Sequence, residues 1–415
     1  MTRNLRLLLA AQFVSLLGDG LYLAVVLYYA LKVTGGSEQA SGWVAVAENL
    51  PYLLVGIWAG VMVDRLDRRR VMMGADLLRA AVLLALYAAD RAGWLAPPGP
   101  LMAVPVGFAA ALLTLGTVFF NPARDALLPS LVPAPELTKA NAAVAVSQYA
   151  AQLLGPLAAA LILAARPLAE AFLWDALTFL GSFACLAALR TPTGDAASPR
   201  EAVDVRGALA YVAGRPELKA LLLLTVLSNL FIMGPAIVGS VLLVRDVAAR
   251  GGAFSLMGRV LSGEAMYALY LSCFAVGMII GSVAVARLAK HVARWKLLIA
   301  GIALDGLTFL PFEGIAAGGR YPLLLLAIGL HATVVPMIVV VRPAQIQAHV
   351  PGARLGQVFA LVNLMVFGAT ALSAALTGWL AGQGTAPGQL FTYAAWGGTL
   401  SGVLALGMPS LRKLT

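Results

Sequence analysis

Apolar runs of about twenty residues, separated by short polar breaks, restrict this chain more than any other feature. A helix rises about 1.5 Å per residue, so about 20 apolar residues cross the roughly 30 Å hydrocarbon core of a bilayer. Such a helix satisfies every backbone polar group internally. Twelve runs can be marked, at 5–32, 41–64, 71–95, 101–121, 140–166, 170–189, 218–244, 264–287, 295–316, 321–342, 355–381 and 388–409. Composition agrees with this pattern. Hydrophobic types make up 61% of the 415 residues and charged types 12%, and the mean hydropathy is +0.88. A soluble domain is about half apolar and a quarter charged, so a water-soluble globular enzyme is excluded. Disorder needs the opposite composition. The predicted fold class is an all-α integral membrane protein with twelve transmembrane helices.

The net charge of +10 follows from topology. If the N-terminus is cytoplasmic, 21 of the 29 Lys and Arg fall on the inner side and seven on the outer, with Arg79 inside a span. That asymmetry obeys the positive-inside rule and places both termini in the cytoplasm. The basic excess is then a collar at the inner membrane surface rather than a nucleic-acid footprint. Arg3 and Arg6 precede an apolar run too long for a signal-peptide core, so 5–32 reads as a retained first span. The longest polar connection, 190–217, reads either as a short interfacial helix begun by Ser198-Pro199, with Val203, Leu209 and Val212 on one face, or as a plain flexible linker.

Enzyme chemistry finds no support. Cys185 and Cys273 both lie in apolar runs, and three histidines form no H-E-x-x-H. Neither a phosphate-binding Gly-Lys-Ser/Thr loop nor a G-x-S-x-G elbow occurs. No cofactor and no metal site are expected.

The two halves match at one offset. Gly56-x-x-x-Gly60 in span two corresponds to Gly277-x-x-x-Gly281 in span eight, 221 positions later. Pro122, after Asn121 at the end of span four, corresponds to Pro343 at the end of span ten, again 221 later. Two matches in corresponding spans indicate two parallel six-helix repeats, an arrangement found in transporters. The expected organisation is an N-terminal bundle over 1–190, a cytoplasmic linker over 191–217 and a C-terminal bundle over 218–415.

Span two closes with the run GVMVDRLDRRR, which contains Gly60, Asp64, Arg65, Arg68 and Arg69. Together with twelve spans and a long central connection, this motif resembles the major facilitator superfamily over essentially the whole chain. The runs LLGDGLYLA, ADLLRA and FFNPARDALLPSLVPAPELTKANAA resemble a narrower branch of drug and siderophore exporters, and more distantly lysophospholipid transporters. Asp64 would stand at a helix C-terminus, where the helix dipole disfavours negative charge. It therefore needs a cationic partner, for which Arg124 is the candidate, or the N-terminus of another helix. The resemblance implies that Gly60, Asp64, Arg65, Arg68, Arg69 and Arg124 form a latch that holds the cytoplasmic side shut. The alternative is that the arginines only fix topology. In the second half, Val285 and Ala286 replace Asp64 and Arg65, so the latch would be one-sided.

Ionisable groups inside spans are costly and point to function. Asp19 leads them, with Gln12, Ser15 and Tyr22 on the same stripe of span one. A carboxylate there could carry protons, or it could be a structural, hydrogen-bonded group. Glu48, Asp305 and His331 read as further proton candidates or as satisfied buried polar groups; Asp76 and Arg79 read as a local structural pair, and Asp175 as an acid near the outer end that faces water. Thr117, Asn121, Gln148, Gln152, Asn229 and Asn363 are candidate cavity-lining groups. Gly155-Pro156 resembles part of the family's antiporter motif, although Ala159 and Ala160 stand where glycines usually follow.

The expected function is secondary active export of small amphipathic organic compounds by alternating access and proton antiport. The expected partners are a small-molecule substrate, protons and the lipid bilayer, with no nucleic acid and a monomeric protein in a bacterial inner membrane. A siderophore exporter or lysophospholipid transporter is the alternative of the same fold. A non-transporting receptor or scaffold is the alternative of another class.

Overall fold

The computed structural model describes residues 2–133, 136–190, 205–251, 254–256 and 258–413. Helices cover all twelve predicted spans. The first half contains α1 (Arg3–Val33), α2 (Glu38–Leu54), α3 (Gly56–Asp64), α4 (Arg68–Arg91), α5 (Ala103–Leu131), α6 (Leu137–Leu163) and α7 (Glu170–Ala187). The second predicted span is thus divided, with its break at Val55. Asp67 caps α4, its side chain accepting from the Arg70 amide at 3.1 Å. The cap lies within the span-two motif, three residues after α3 ends, and starts the next helix.

The second half opens with α8 (Val205–Ala213) and α9 (Pro216–Gly234). A widened turn over Pro235–Gly239 joins α9 to α10 (Ser240–Gly251). Pro235 lacks the amide that a regular α-helix needs there. A two-residue hairpin follows, β1 (Ser255–Leu256) against β2 (Arg259–Val260). Then come α11 (Gly263–Leu288), α12 (Arg294–Leu307), α13 (Pro311–Ala317), α14 (Tyr321–Ala332), α15 (Pro336–Val339), α16 (Val341–His349), α17 (Gly352–Gly382) and α18 (Pro387–Leu406). The ninth and tenth predicted spans are each interrupted mid-way, before Pro311 and before Pro336.

Among the described residues, ten helices are long and apolar enough to cross a membrane. The divided α2–α3 and the 20-residue α18 account for the other two predicted spans. Large apolar side chains such as Trp58, Leu101, Phe108, Ile280, Leu326 and Trp396 are mostly exposed. In water this would be a severe liability; around a bundle set in lipid it is the expected surface.

The chain divides into two compact units, residues 1–40 with 47–202, and residues 41–46 with 203–415. In the first, α1 packs on α6 and α7, and α4 packs on α5 and α7. One cluster of its core holds Leu8, Met72, Phe120, Ala123, Leu127 and Leu186. The α1–α6 crossing depends on glycine, since a Cβ on Gly155 would stand 2.8 Å from Gly20 Cα and 3.0 Å from the Leu17 carbonyl. In the second unit, α9 packs on α17, α12 on α18 and α11 on α14. Gly277 and Gly281 seat α11 on α14, where a Cβ on either would collide with the carbonyl of Gly329 or Thr333. Gly56, the matching glycine of the first half, has nothing within 4 Å of such a Cβ. The repeat is therefore unequal in its packing.

The described part of the 190–217 connection forms α8. Its buried side chains are Ala208, Tyr211 and Val212, packed among residues of α9 and α17. Leu209, expected beside Val212, is half exposed instead, because a one-residue step turns it about 100° from Ala208. Tyr211 lies between the guanidinium groups of Arg215 and Arg354, at 3.7 and 4.8 Å. Ser198, Pro199 and Val203 lie outside the described residues.

Candidate functional site

The first unit builds a charged cluster around the Gly18-Asp19-Gly20 step of α1. Each glycine admits a neighbouring helix. A Cβ on Gly18 would collide with Thr178 Oγ1 and Asp175 Oδ1 of α7, and one on Gly20 would meet Gly155 of α6 at 2.9 Å. Asp19 stands between these contacts and reaches Arg79 of α4, with Oδ1 3.3 Å from Nη1. Arg79 Nη2 also donates to Asp76 Oδ1 at 2.5 Å and to Ser15 Oγ at 3.0 Å. The guanidinium packs on the rings of Phe179 and Phe120, at 4.1 and 4.9 Å. Gly116 of α5 makes room for its stem, 2.8 Å from where a Cβ would stand.

The expected Asp76–Arg79 pair is therefore one part of a larger assembly that includes Asp19. Asp175, expected to face water near the outer end of its span, is instead fully buried beside it, and its Oδ2 has no hydrogen-bond partner among the described residues. The correction follows from the α1–α7 contact, which only Gly18 permits. Three carboxylates thus adjoin one guanidinium. Glu48, half-buried on α2, lies within electrostatic range of Asp19. Glu48, Asp175 and Asp19 all act on the Tyr22 hydroxyl, which likewise has no partner among the described residues. Within the core of the cluster, exposure separates Asp19 from the rest. Its side chain is 34% exposed, whereas Arg79 and Asp76 are at 1% and 0%. Asp19 is the member that another molecule can reach.

Two predicted lining groups, Gln12 and Ser15, are packed between helices instead. Gln12 is buried and donates to the Val144 carbonyl at 3.1 Å and to Ser147 Oγ at 3.2 Å, tying α1 to α6. Ser15 is buried as an acceptor for Arg79. Thr117 and Asn229 donate to carbonyls of their own helices, at 3.4 and 2.7 Å, and Asn229 is buried. A stripe drawn at helical spacing cannot tell a face that meets a neighbouring helix from one that meets solvent. Gln148 is half-buried, and Gln152 and Asn363 are exposed.

The motif residues also divide. Arg69 donates to the Leu186 and Ala187 carbonyls at 2.7 and 2.6 Å, satisfying the C-terminus of α7. Arg68 donates to the Ala126 carbonyl of α5 at 3.0 Å. Both knit the first unit together. Arg65 is exposed. Arg124, the candidate partner of Asp64, binds Asp125 at 2.8 Å and Asn121 Oδ1 at 3.2 Å. Asp64 ends α3, but its side chain, like the contacts of Gly60, lies outside the described set.

In the second unit, Asp305 of α12 and His331 of α14 come together, both buried. His331 Nε2 is 3.6 Å from Asp305 Oδ1, and Nδ1 is 2.8 Å from Thr308 Oγ1. The imidazole stacks on Phe309 with centroids 4.0 Å apart, and Phe312 and Phe274 stand around it at 6.4 Å. Nothing in the spacing of residues 305 and 331 announces this pair, because it forms across a helix reversal.

Comparison with known sequences places this geometry. The Major Facilitator Superfamily profile matches residues 8–262. The chain belongs to the major facilitator superfamily. Its relatives in that superfamily include macrolide efflux protein A of Streptococcus pyogenes, 26% identical over 367 residues, covering 85% of this chain and 83% of that protein. The multidrug efflux pump Tap of Mycolicibacterium fortuitum is 26% identical over 436 residues, covering 99% and 97%. Among solved structures, a bacterial homologue of the iron transporter ferroportin in the inward-facing state superposes with a TM-score of 0.74 at 19% identity, covering 98% of each chain. A POT family transporter in complex with a thioalcohol-conjugated peptide superposes with a TM-score of 0.73 at 15% identity, covering 100% of this chain and 97% of that one. At such identities the structures establish the major facilitator fold alone; the family profile and the efflux relatives mark a multi-pass membrane transporter.

Proposed function

We propose that the protein exports small amphipathic organic compounds across a bacterial inner membrane in exchange for protons, as a monomer with both termini in the cytoplasm. The observation that carries this reading is the reachable Asp19 at the edge of an otherwise sealed, acid-rich cluster. Two relatives named for macrolide and multidrug efflux support export as the direction and drug-like molecules as the cargo.

The chemistry follows from charge balance. Arg79 holds Asp76 closely and Asp19 loosely, at 2.5 and 3.3 Å. A charge in a low-dielectric interior is tolerated only when paired. With Asp175 also at hand, the cluster is short of positive charge, so Asp19 accepts either a proton or a cationic substrate group. When one displaces the other, exchange results. In this reading residues 1–190 and 218–415 move as two bodies joined by the 191–217 linker, and the Gly60–Asp64–Arg65 segment latches the inner side between movements.

Reconstitution into proteoliposomes tests the proposal. A macrolide such as erythromycin should be carried against its gradient when a pH gradient is imposed, and Asp19→Asn should cut that uphill flux at least tenfold. Wild-type-like uphill flux in Asp19→Asn would remove Asp19 from coupling. Movement of lysophospholipid with no drug flux would assign the fold to lipid transport. Absence of flux for all probes, with binding intact, would favour a receptor.

A further inference from the structure

The Asp305–His331 pair lies apart from the Asp19 cluster, in the other unit, and its surroundings restrict what it can do. Asp305 is 11 residues into α12 and His331 is 10 residues into α14, about 15–17 Å along their helix axes at 1.5 Å per residue. Both therefore stand near half the depth of a roughly 30 Å hydrocarbon core. Both also adjoin an interruption: α12 ends at Leu307 ahead of Pro311, and α14 ends at Ala332 ahead of Pro336. Interrupted helices at this depth expose backbone that must be satisfied locally, and they mark ion and substrate sites in transporters.

Thr308 sits inside the first interruption and fixes the imidazole. Its hydroxyl donates to the Leu304 carbonyl at 2.8 Å. Its single hydrogen is thereby used, so toward His331 Nδ1, at 2.8 Å, it is an acceptor. Nδ1 must then carry a hydrogen. In a neutral ring with that tautomer, Nε2 is a bare lone pair facing Asp305 Oδ1 at 3.6 Å. Two lone pairs opposed in a dry interior repel each other. One proton between Nε2 and Oδ1 turns this repulsion into attraction, whichever atom carries it. At 3.6 Å the gap is wider than a formed hydrogen bond, so the two partners are poised rather than locked.

From the elements packed around the ring, α11 presents Phe274, α13 presents Phe312, and Phe309 stacks on it directly. Asp305 is its one charged partner among the described residues. On the packed elements, Tyr270 of α11, one turn before Phe274, is buried and stacks on Tyr267. Glu313 of α13 accepts from Thr392, and Asp246 and Arg250 of α10 pair with each other. Among the described residues the pair has no further ion-pair partner to compensate a lost or gained proton.

We propose that Asp305 and His331 form one proton-binding site in the second unit, distinct from the Asp19 cluster, and that the proton they share holds α12 to α14 at their two interruptions. When the proton leaves, Nε2 and the Asp305 carboxylate repel and the helices part there. When it returns, they close. As a second coupling site this rests on the antiport reading above, whereas as a proton site it stands on the geometry alone.

Imidazole nitrogen NMR tests the proton site without any transport. The chain holds three histidines, so a His291→Gln/His349→Gln variant in lipid nanodiscs leaves a single ring to observe. Nδ1 should remain protonated across the accessible pH range, and Asp305→Asn should move the midpoint of the Nε2 titration by at least one pH unit. Thr308→Val should release the fixed tautomer. A ring that titrates identically with and without Asp305, in a tautomer indifferent to Thr308→Val, would overturn the proposal. In proteoliposomes, Asp305→Asn should lower uphill drug flux at least tenfold while downhill flux stays within threefold. Equal loss of both fluxes would overturn the coupling role. If the unaltered protein shows no uphill flux, the antiport reading fails, and the NMR result still decides whether the pair binds a shared proton.

Discussion

Arg79 shows how one residue can organise a membrane interior. It is 1% exposed, with Asp76 and Asp19 on its nitrogens and two aromatic rings on its faces. Removing one partner from a buried ion pair typically costs about 3–5 kcal/mol, because the other charge is left uncompensated. Arg79→Gln should therefore lower the melting temperature of the detergent-solubilised protein markedly. Adding Asp76→Asn should restore much of the loss. An unchanged melting curve for the single variant would show that the guanidinium is not needed to neutralise the cluster. The sequence placed Asp76 and Arg79 together because they are three apart on one helix. It did not place Asp19 or Asp175 with them, since those contacts cross from α4 to α1 and from α1 to α7.

Among the helices, the decisive contact in the first unit is the close crossing of α1 and α6. Gly20 and Gly155 face each other there, with less room at each than a Cβ needs. Helices in lipid associate through such small-residue contacts, because the surrounding hydrocarbon supplies no hydrophobic drive. Overpacking of this kind costs about 1–3 kcal/mol or more, and here backbone rather than a flexible side chain would have to move. Gly155→Val should reduce the yield of folded protein and its thermal stability, whereas Leu161→Val, on the exposed face of α6, should do less. Equal effects of the two, measured by fluorescence-detected size-exclusion chromatography, would deny the crossing its importance. The structure thus gives the Gly155-Pro156 step a packing role of its own. The Gly18-Asp19-Gly20 run was legible as a stripe but not as two helix contacts flanking a charge, because a one-dimensional pattern does not say which helix lies against which face.

For the whole molecule, the basic collar and the span-two motif make two predictions. Single cysteines placed in the 190–217 connection, in a Cys185→Ala/Cys273→Ala background, should react with a membrane-impermeant maleimide only after the inner face is exposed. Labelling of intact cells would reverse the topology. Asp64→Asn should slow transport in proteoliposomes severalfold while leaving insertion intact, and an unchanged rate would remove the latch. Arg68 and Arg69 will be poorer probes of that latch, since they also satisfy the Ala126, Leu186 and Ala187 carbonyls. The helical membrane architecture and the approximate limits of the twelve spans were determined by the sequence alone, and its charges set the expected side of each loop. These properties depend on local hydropathy and charge counting, and each residue contributes to them wherever its neighbours in space lie. The tertiary structure decided which polar groups meet. It moved Gln12 and Ser15 from expected lining positions into packed contacts, buried Asp175, and joined Asp305 to His331 across a helix reversal. A buried charge is fixed by partners from other helices, and the distance between helices is set by glycines whose effect appears only once the helices are packed.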